Sequence, residues 1–450
     1  MDTIEVLKKL EQGEPLYRTM PIVRKKRICG TETEFGNSNK EGEPIASFDQ
    51  LPIMLYNGGE IYEDIHVEYA SPECTNPAAL TAYYEAGKVL TRELNLADKL
   101  HCLNNDWHGN TFGAHENYFT CAPRKNWQKL IPFLISRSII TGAGWINRGG
   151  KFEITQRAWC ITCAESDNTT SERAVLNLRD EPLANLGGWD RLHIICGDAN
   201  MSEVSTFLRI GMTSLVIEMM EKEALPDILY DPEFSRDDFR LISRSTHNWR
   251  LEGIINGHKE GLKVLQLYLD RAKQLFSHQD QVTDAVLIIW EDTLEKLASD
   301  PMKLWRRLDW VTKLFILSEF EVIQNSNYEW LQSQDMEYHN INGAEGLYYL
   351  LRQERQVERI VSDELIIHAT IEPPSDTRAY ARGKINQFLG NNGNAKSLCA
   401  NGWSHLTVVD EDCRGVDWRQ LNGHKYISRR IDNPFETYRE IVEEFKIHLK

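Results

Sequence analysis

Between Ile61 and Cys74 the chain reads Ile-Tyr-Glu-Asp-Ile-His-Val-Glu-Tyr-Ala-Ser-Pro-Glu-Cys. If Ile61 to Tyr69 is one extended strand, Tyr62, Asp64, His66 and Glu68 project from a single face. Two carboxylates, an imidazole and a phenol cannot make an apolar core, and buried carboxylates need a cation, hydrogen bonds or solvent. Upstream, in the stretch 27–36, Glu32 and Glu34 share a face by the same alternation. Oxygen donors of this kind suit a hard divalent cation such as Mg²⁺, which keeps places in its shell for water and substrate phosphate. The plainer alternative is the solvated face of an antiparallel sheet, and the pattern alone leaves both open.

Two more segments place polar groups at strand spacing. Arg191 and His193 share one face, while Leu192, Ile194 and Cys196 line the other; His115 and Asn117 share a face of 113–118. Arg173, Arg179 and Arg191 are cations of the kind that neutralise a transferring phosphate. Neither a GxxxxGK[ST] nor a GxGxxG sequence occurs, which excludes the P-loop and Rossmann types of nucleotide site. Cys160 and Cys163 form a CxxC without a second pair. Read as a buried strand, 157–163 sends the two sulfurs to opposite faces, so no zinc site is expected.

The elements that must position these groups can be sketched. Residues 1–24 read as a helical extension. The acidic strands lie within 25–75, separated by a loop over 37–44 and a short helical segment near 49–56. Helical periodicity marks 77–99 and 127–141. Strands are expected in 113–121, 151–163, 174–178 and 191–196. Ser202 caps a helix over 203–222, and further helices are expected at 259–276, 279–299, 302–325 and 343–358. Pro373-Pro374 breaks the chain before a capped helix; a strand in 402–409 and a terminal helix follow. Early strands, late helices and few βαβ alternations predict an α+β fold with a mainly antiparallel sheet. The expected division is an extension (1–24), a catalytic domain (25–375) and a small α/β C-terminal domain (376–450).

The 450 residues carry a formal net charge of −16, with 41% hydrophobic and 26% charged residues. This composition is that of a folded globular protein and argues against nonspecific binding to nucleic acid or anionic membrane. No apolar run approaches the roughly 20 residues of a membrane-spanning helix, and the N-terminus lacks the apolar segment of a secretory signal. Nine scattered cysteines suit reduced thiols in a cytoplasm.

Taken together, the segments Gly30-Thr-Glu-Thr-Glu-Phe-Gly36, Asn57-Gly58, Tyr62-x-Asp64, His66-x-Glu68-Tyr69, Pro72-Glu-Cys74, Asn104-Asn105, His115-Glu-Asn-Tyr118, Asn177-x-Arg-Asp-Glu-Pro182, Arg191-Leu-His193 and Gly197-Asp-Ala-Asn-Met-Ser-Glu203 resemble the Pup ligase and Pup deamidase/depupylase family. That family is related to glutamine synthetase. The resemblance runs on through Asp309-Trp310, Tyr338-His339, Pro373-Pro374-x-x-Thr377-Arg378-Ala379 and Trp403-x-His405-Leu406, in one collinear order. It implies a curved, mainly antiparallel glutamine-synthetase-like sheet cradling ATP and Mg²⁺, backed by helices. It also implies Glu32, Tyr62 and Glu68 as magnesium ligands, Asp64 as catalytic base, and Ser71 and Trp403 at the nucleotide. Arg173, Arg179, Arg191 and His193 are further candidates around the phosphates. The implied partners are a small disordered Pup-like modifier and the lysines of target proteins.

Three departures stand out. Where the family usually has Asn-Gly-Ala-Arg, its Arg a nucleotide contact, this chain has Asn57-Gly58-Gly59-Glu60, and alternation from Tyr62 puts Glu60 on the active face. The long insertion of the deamidase/depupylase branch after the first acidic strand is absent, with only residues 37–49 there; separately, the short Asp64-to-Glu68 interval predicts a bulge that repositions Glu68. The N-terminal extension has no counterpart. The expected activity is ligation of the modifier's C-terminal glutamate to lysine through an acyl phosphate. The missing insertion after the first acidic strand and Trp403-x-His405-Leu406 favour it. Depupylation or deamidation is the alternative, favoured by Gly197-Asp-Ala-Asn, Asp300-Pro301-Met302 and Asp376-Thr-Arg-Ala-Tyr380. A divergent peptide–amine ligase outside the proteasome pathway and a non-enzymatic modifier-binding scaffold complete the alternatives, and a scaffold has no need of Glu32, Asp64 and Glu68.

Overall fold

The computed structural model describes residues 2–23, 27–39, 45, 47–48, 51–168, 172–179, 186–324, 327–391, 397–399, 403–409 and 426–448. The expected loop residues 40–44, residues 49–50 of the expected short helix, the motif residues 180–182 and residue 402 of the expected last strand lie outside these.

A nine-stranded sheet carries the molecule. Its strands are β1 (Cys29–Ser38), β2 (Ile53–Met54), β3 (Glu60–Glu63), β4 (Val67–Ala70), β5 (Lys99–His101), β6 (Ala114–Thr120), then β9 (Cys163–Ser166), β10 (Ala174–Asn177) and β11 (Asp190–Ile194); β7 (Trp145–Ile146) and β8 (Phe152–Glu153) form a separate hairpin. The order is β2-β3-β4-β1-β6-β11-β10-β9, with β5 beside the end of β1. Every pairing is antiparallel except β9 with β10. The predicted α+β fold is therefore the observed one.

Along β1, Cys29, Thr31, Thr33 and Phe35 are buried toward the helices while the residues between them face the other way. The helices α1 (Thr3–Glu11), α2 (Pro77–Glu93), α3 (Ile131–Ser136), α4 (Ser138–Thr141), α5 (Glu203–Glu221) and α6 (Ser235–Ser243) come first in the chain. After them follow α7 (Gly261–Phe276), α8 (Gln281–Ser299), α9 (Asp309–Gln324), α10 (Tyr328–Tyr338), α11 (Leu347–Gln353) and α12 (Asp363–Ile371). Asn76 caps α2 through Ala79 N–H, and Ser202 caps α5 through Ser205 N–H. α2 packs on β1 and β4, and α5 packs on β6. α5 is buried on nearly every side, as a helix at the centre of a layer must be. Gly87 lets α2 lie against Tyr69 of β4: a Cβ there would come within 2.2 Å of the Tyr69 ring. On this inner face Glu116 is neutralised by Arg137 at 2.5–2.9 Å, with the Tyr118 hydroxyl donating at 2.7 Å.

A second core closes around α13 (Ala379–Asn391), the antiparallel sheet β12 (Ser397–Cys399), β13 (His405–Val409) and β14 (Tyr426–Arg430), and α14 (Arg439–His448). Ile385, Leu406, Ile431, Val442 and Phe445 fill it. Arg378 and Arg382 tie this part to the main sheet through Glu73, Arg378 Nε at 2.6 Å. The N-terminal segment joins the body too. Val6 and Leu10 are fully buried, and Tyr17 bridges to Val361.

The structure corrects several expectations. Ile61 to Tyr69 is not one strand but the β3–β4 hairpin, so the run turns back on itself instead of bulging. Ile53–Met54 is strand within the expected short helix. Residues 157–162 form a turn ahead of β9, with Arg157 buried and hydrogen-bonded to Thr111 Oγ1 and the Phe112 and Ile195 carbonyls, which pulls Cys160 out of any strand. The expected helix at 302–325 is split into a single turn over Pro301–Leu304 and α9. No helix among the described residues is long and apolar enough to cross a membrane.

Candidate active site on the concave sheet face

Register assembles the site. Across β3, β4 and β1, Tyr62, Glu68 and Glu34 form one row, and Glu60, Ala70 and Glu32 the next. Across β1 and β6, Glu32 pairs with His115 and Gly30 with Asn117, and Asn117 pairs with His193 of β11. Residues opposite one another in an antiparallel pair share a face, so three separate acidic and imidazole-bearing stretches meet on the side away from the helices. They line a cavity of about 600 Å³ that also takes in Asp64, Ser71, Arg173, Arg179, Arg191 and Trp403. All ten residues singled out for the site thus surround one space. His115 and Asn117 were picked out by strand spacing without a role. Glu34, His66, Glu73 and Arg378 also line it, and their motifs were visible without indicating a role.

Glu32 is the hub. His115 Nδ1 lies 3.4 Å from one carboxylate oxygen and His193 Nε2 3.6 Å from the same oxygen; Arg191 approaches the other at 3.3 Å and also donates to Asn117 at 3.0 Å. Burial alone would raise its pKa, but the hydrogen bond from His115, the nearness of His193 and the charge of Arg191 hold it well below the ordinary carboxylate range. Glu34 is half-buried and is held ionised by His66, whose Nδ1 is 3.0 Å away. Glu68 behaves oppositely. Burial, with Glu32 and Glu34 close by, pushes its carboxyl well above the usual range, and burial with the charges of Glu32 and Glu68 pushes the Tyr62 hydroxyl up. His193 falls to about 4 through burial, although Glu32 opposes that fall.

This donor set fits a divalent cation. Three carboxylates crowd a partly enclosed face, one is left without enough positive charge to ionise, and both ring nitrogens of buried His193 lack a hydrogen-bond partner among the described residues. Glu32, Glu68 and Tyr62 are the residues that would hold Mg²⁺, and Glu32, His115 and His193 already bring ligand atoms within 4.8 Å of one another. Space for the carboxylates depends on Gly113, where a Cβ would come within 2.6 Å of both His115 Nε2 and Glu34 Oε1.

The residues expected at a nucleotide also line this cavity. Ser71 lines the cavity; its Oγ accepts from Thr31 N–H at 2.9 Å and donates to the Pro72 carbonyl at 3.2 Å. The Arg382 guanidinium lies 4.5 Å from the Trp403 ring and donates to the Trp403 carbonyl at 3.1 Å, fixing the indole at the cavity wall. Arg173 is half-buried and Arg179 exposed at the rim. Asp64 sits exposed at the hairpin turn, not on a strand face, and still borders the cavity. Glu60 lies in the register row of Glu32, on the expected face, but is not among the residues that line the cavity; it is half-buried near Arg382, with its carboxyl raised to about 7 by burial against the opposing Arg382 charge.

Comparison with known proteins identifies the family of the chain. The Pup-ligase protein family model matches residues 38–407. A Pup–protein ligase from Acidimicrobium ferrooxidans is 32% identical over 438 residues, covering 87% of this chain and 94% of the relative. A depupylase from Acidothermus cellulolyticus is 36% identical over 371 residues, covering 75% of this chain and 72% of its own length. The solved structure of the Pup ligase PafA in complex with ADP superposes with a TM-score of 0.76 at 27% identity, covering 90% of this chain and 91% of that one. The chain belongs to the Pup-ligase protein family.

Proposed function

We propose that this chain is an ATP-dependent carboxylate–amine ligase that joins the C-terminal glutamate side chain of a Pup-like modifier to a lysine of a target protein. The observation that carries this reading is the convergence of the Glu32–Glu34–Glu68 cluster, the arginines and Asp64 on one cavity. Such a site can gather phosphates, a carboxylate and an amine while excluding most water. The PafA structure with ADP supports nucleotide use, and the near full-length match to a Pup–protein ligase supports the direction of reaction.

In the first step a modifier carboxylate oxygen attacks the γ-phosphorus of ATP; the O–P bond forms, the bond to the β-phosphate oxygen breaks, and ADP leaves. Arg191, with Arg173 and Arg179 at the rim, offsets the charge that accumulates on the transferring group. Bound Mg²⁺ would supply further charge neutralisation at the phosphates. In the second step the lysine nitrogen attacks the acyl carbon. The C–N bond forms, the C–O bond to phosphate breaks, inorganic phosphate leaves, and Asp64 accepts the amine proton. Ser71 and Trp403 orient the nucleotide. We assign catalysis to residues 25–375, with 376–450 as a smaller domain contributing Trp403 and 1–24 as an extension. The buried free thiols of Cys29, Cys74, Cys102 and Cys196 suit a reducing cytoplasm.

Depupylation is the second reading, favoured by the 36% identity to a depupylase over the shared region. Incubation with ATP, a modifier ending in glutamate and a lysine-bearing protein separates the two. Ligation predicts a conjugate and one ADP per bond formed; release of modifier from a preformed conjugate without new conjugation would reverse the assignment.

A further inference from the structure

The tip of the β3–β4 hairpin holds a residue that the fold itself does not explain. Ile65 has φ of 112°, a backbone region that glycine favours and a β-branched side chain resists. It is 76% exposed, so packing does not hold it there. Its neighbours are pinned. Asp64 N–H donates to the His66 carbonyl at 3.3 Å, His66 is bonded to Glu34, and the His66 ring meets the Phe112 ring edge-on at 4.5 Å. Ile65 therefore stands at the cavity rim, directly beside the Asp64 carboxylate. Glycine or asparagine would make this turn with less strain and less exposed apolar surface.

We propose that Ile65 is a specificity-determining residue for the amine substrate, packing against the methylenes of the incoming lysine while Asp64 meets its nitrogen. The inference rests on the ligase reading above. Lysine carries its charge on a flexible apolar stem that covers hydrophobic surface while the head reaches a polar partner. An apolar side chain next to a carboxylate at the mouth of an acidic cavity is the complement of that shape and charge.

The test compares wild type, Ile65→Gly and Ile65→Leu with two nucleophiles, a single-lysine peptide and hydroxylamine, which has no stem. Ile65→Gly should raise KM for the peptide about tenfold, the scale expected for losing partial burial of one aliphatic side chain. It should leave ATP-dependent hydroxamate formation unchanged, and it should unfold at a higher temperature than wild type. Ile65→Leu should keep a peptide KM close to wild type. An unchanged peptide KM in Ile65→Gly would overturn the inference, as would a rise in KM for the modifier alone. Absence of hydroxamate with the wild-type protein would overturn the ligase reading and this inference with it.

Discussion

Tyr62 and Glu68 stand opposite one another across the β3–β4 hairpin, and the Glu68 carboxylate helps to push the Tyr62 hydroxyl up. The pairing puts a phenol and a carboxylate at one point on the sheet, facing Glu34 of the next strand. Without a cation this arrangement is electrostatically unfavourable, because Glu68 is buried among like charges.

Glu68→Gln should therefore separate stability from function. Removing a buried carboxylate from the company of Glu32 and Glu34 should leave the metal-free fold as stable as wild type or more so, read as an equal or higher Tm. Magnesium-dependent ATP binding measured by calorimetry should weaken at least tenfold, and Glu32→Ala should do the same. Wild-type affinity in both variants would remove Glu32 and Glu68 from the metal site.

Asp64→Asn preserves size and the hairpin but takes away the proton acceptor. ATP affinity should hold while the conjugation rate falls by about 10²-fold or more. A variant with near wild-type turnover would show that another group takes the proton.

Glu73 joins the two cores. Burial would raise its carboxyl, but Arg382 and Arg378 bring it down to about 2. A carboxylate depressed in the folded state contributes stability that is present above its unfolded value near 4.5 and is lost as pH falls toward 2. Thermal melts from pH 6 to pH 2.5 should show wild type losing Tm over that window. Glu73→Gln, less stable at pH 6, should lose markedly less on acidification. Parallel curves for the two proteins would mean that the ion pairs add nothing.

Glu60 replaces the arginine usual in the family and lies half-buried near Arg382, outside the residues that line the cavity. Glu60→Arg would put a further guanidinium beside buried Arg382, whose carboxylate partner Glu73 is already shared with Arg378, costing roughly 3–5 kcal/mol of stability. Glu60→Gln should leave both the fold and ATP affinity essentially intact. Denaturant unfolding and calorimetry on the two variants check this, and tighter ATP binding by a well-folded Glu60→Arg protein would place residue 60 at the nucleotide after all.

The legible parts of the site were those on true strands. Glu32 and Glu34 on β1, His115 and Asn117 on β6, and Arg191 and His193 on β11 share faces because each stretch really is extended. The stretch 61–69 misled because its turn, Asp64-Ile65-His66, has none of the glycine, proline or asparagine that announces a hairpin. Tyr62 and Glu68 nonetheless fall together, through cross-strand pairing instead of alternation along one strand. Helix α12 gives little periodic signal because both its flanks carry apolar residues. The role of Glu73 could not be read from local sequence, since its partner Arg378 lies 305 residues later and only the folded chain brings them into contact.

The central claim, that this site activates a carboxylate by phosphorylation, is tested most directly by isotope transfer. A modifier labelled with ¹⁸O in the side-chain carboxylate of its C-terminal glutamate is incubated with ATP, Mg²⁺ and a lysine-bearing protein, and the released phosphate is examined by mass spectrometry. An acyl-phosphate route predicts one ¹⁸O in phosphate for each isopeptide bond formed. Conjugate accompanied by unlabelled phosphate would contradict the account.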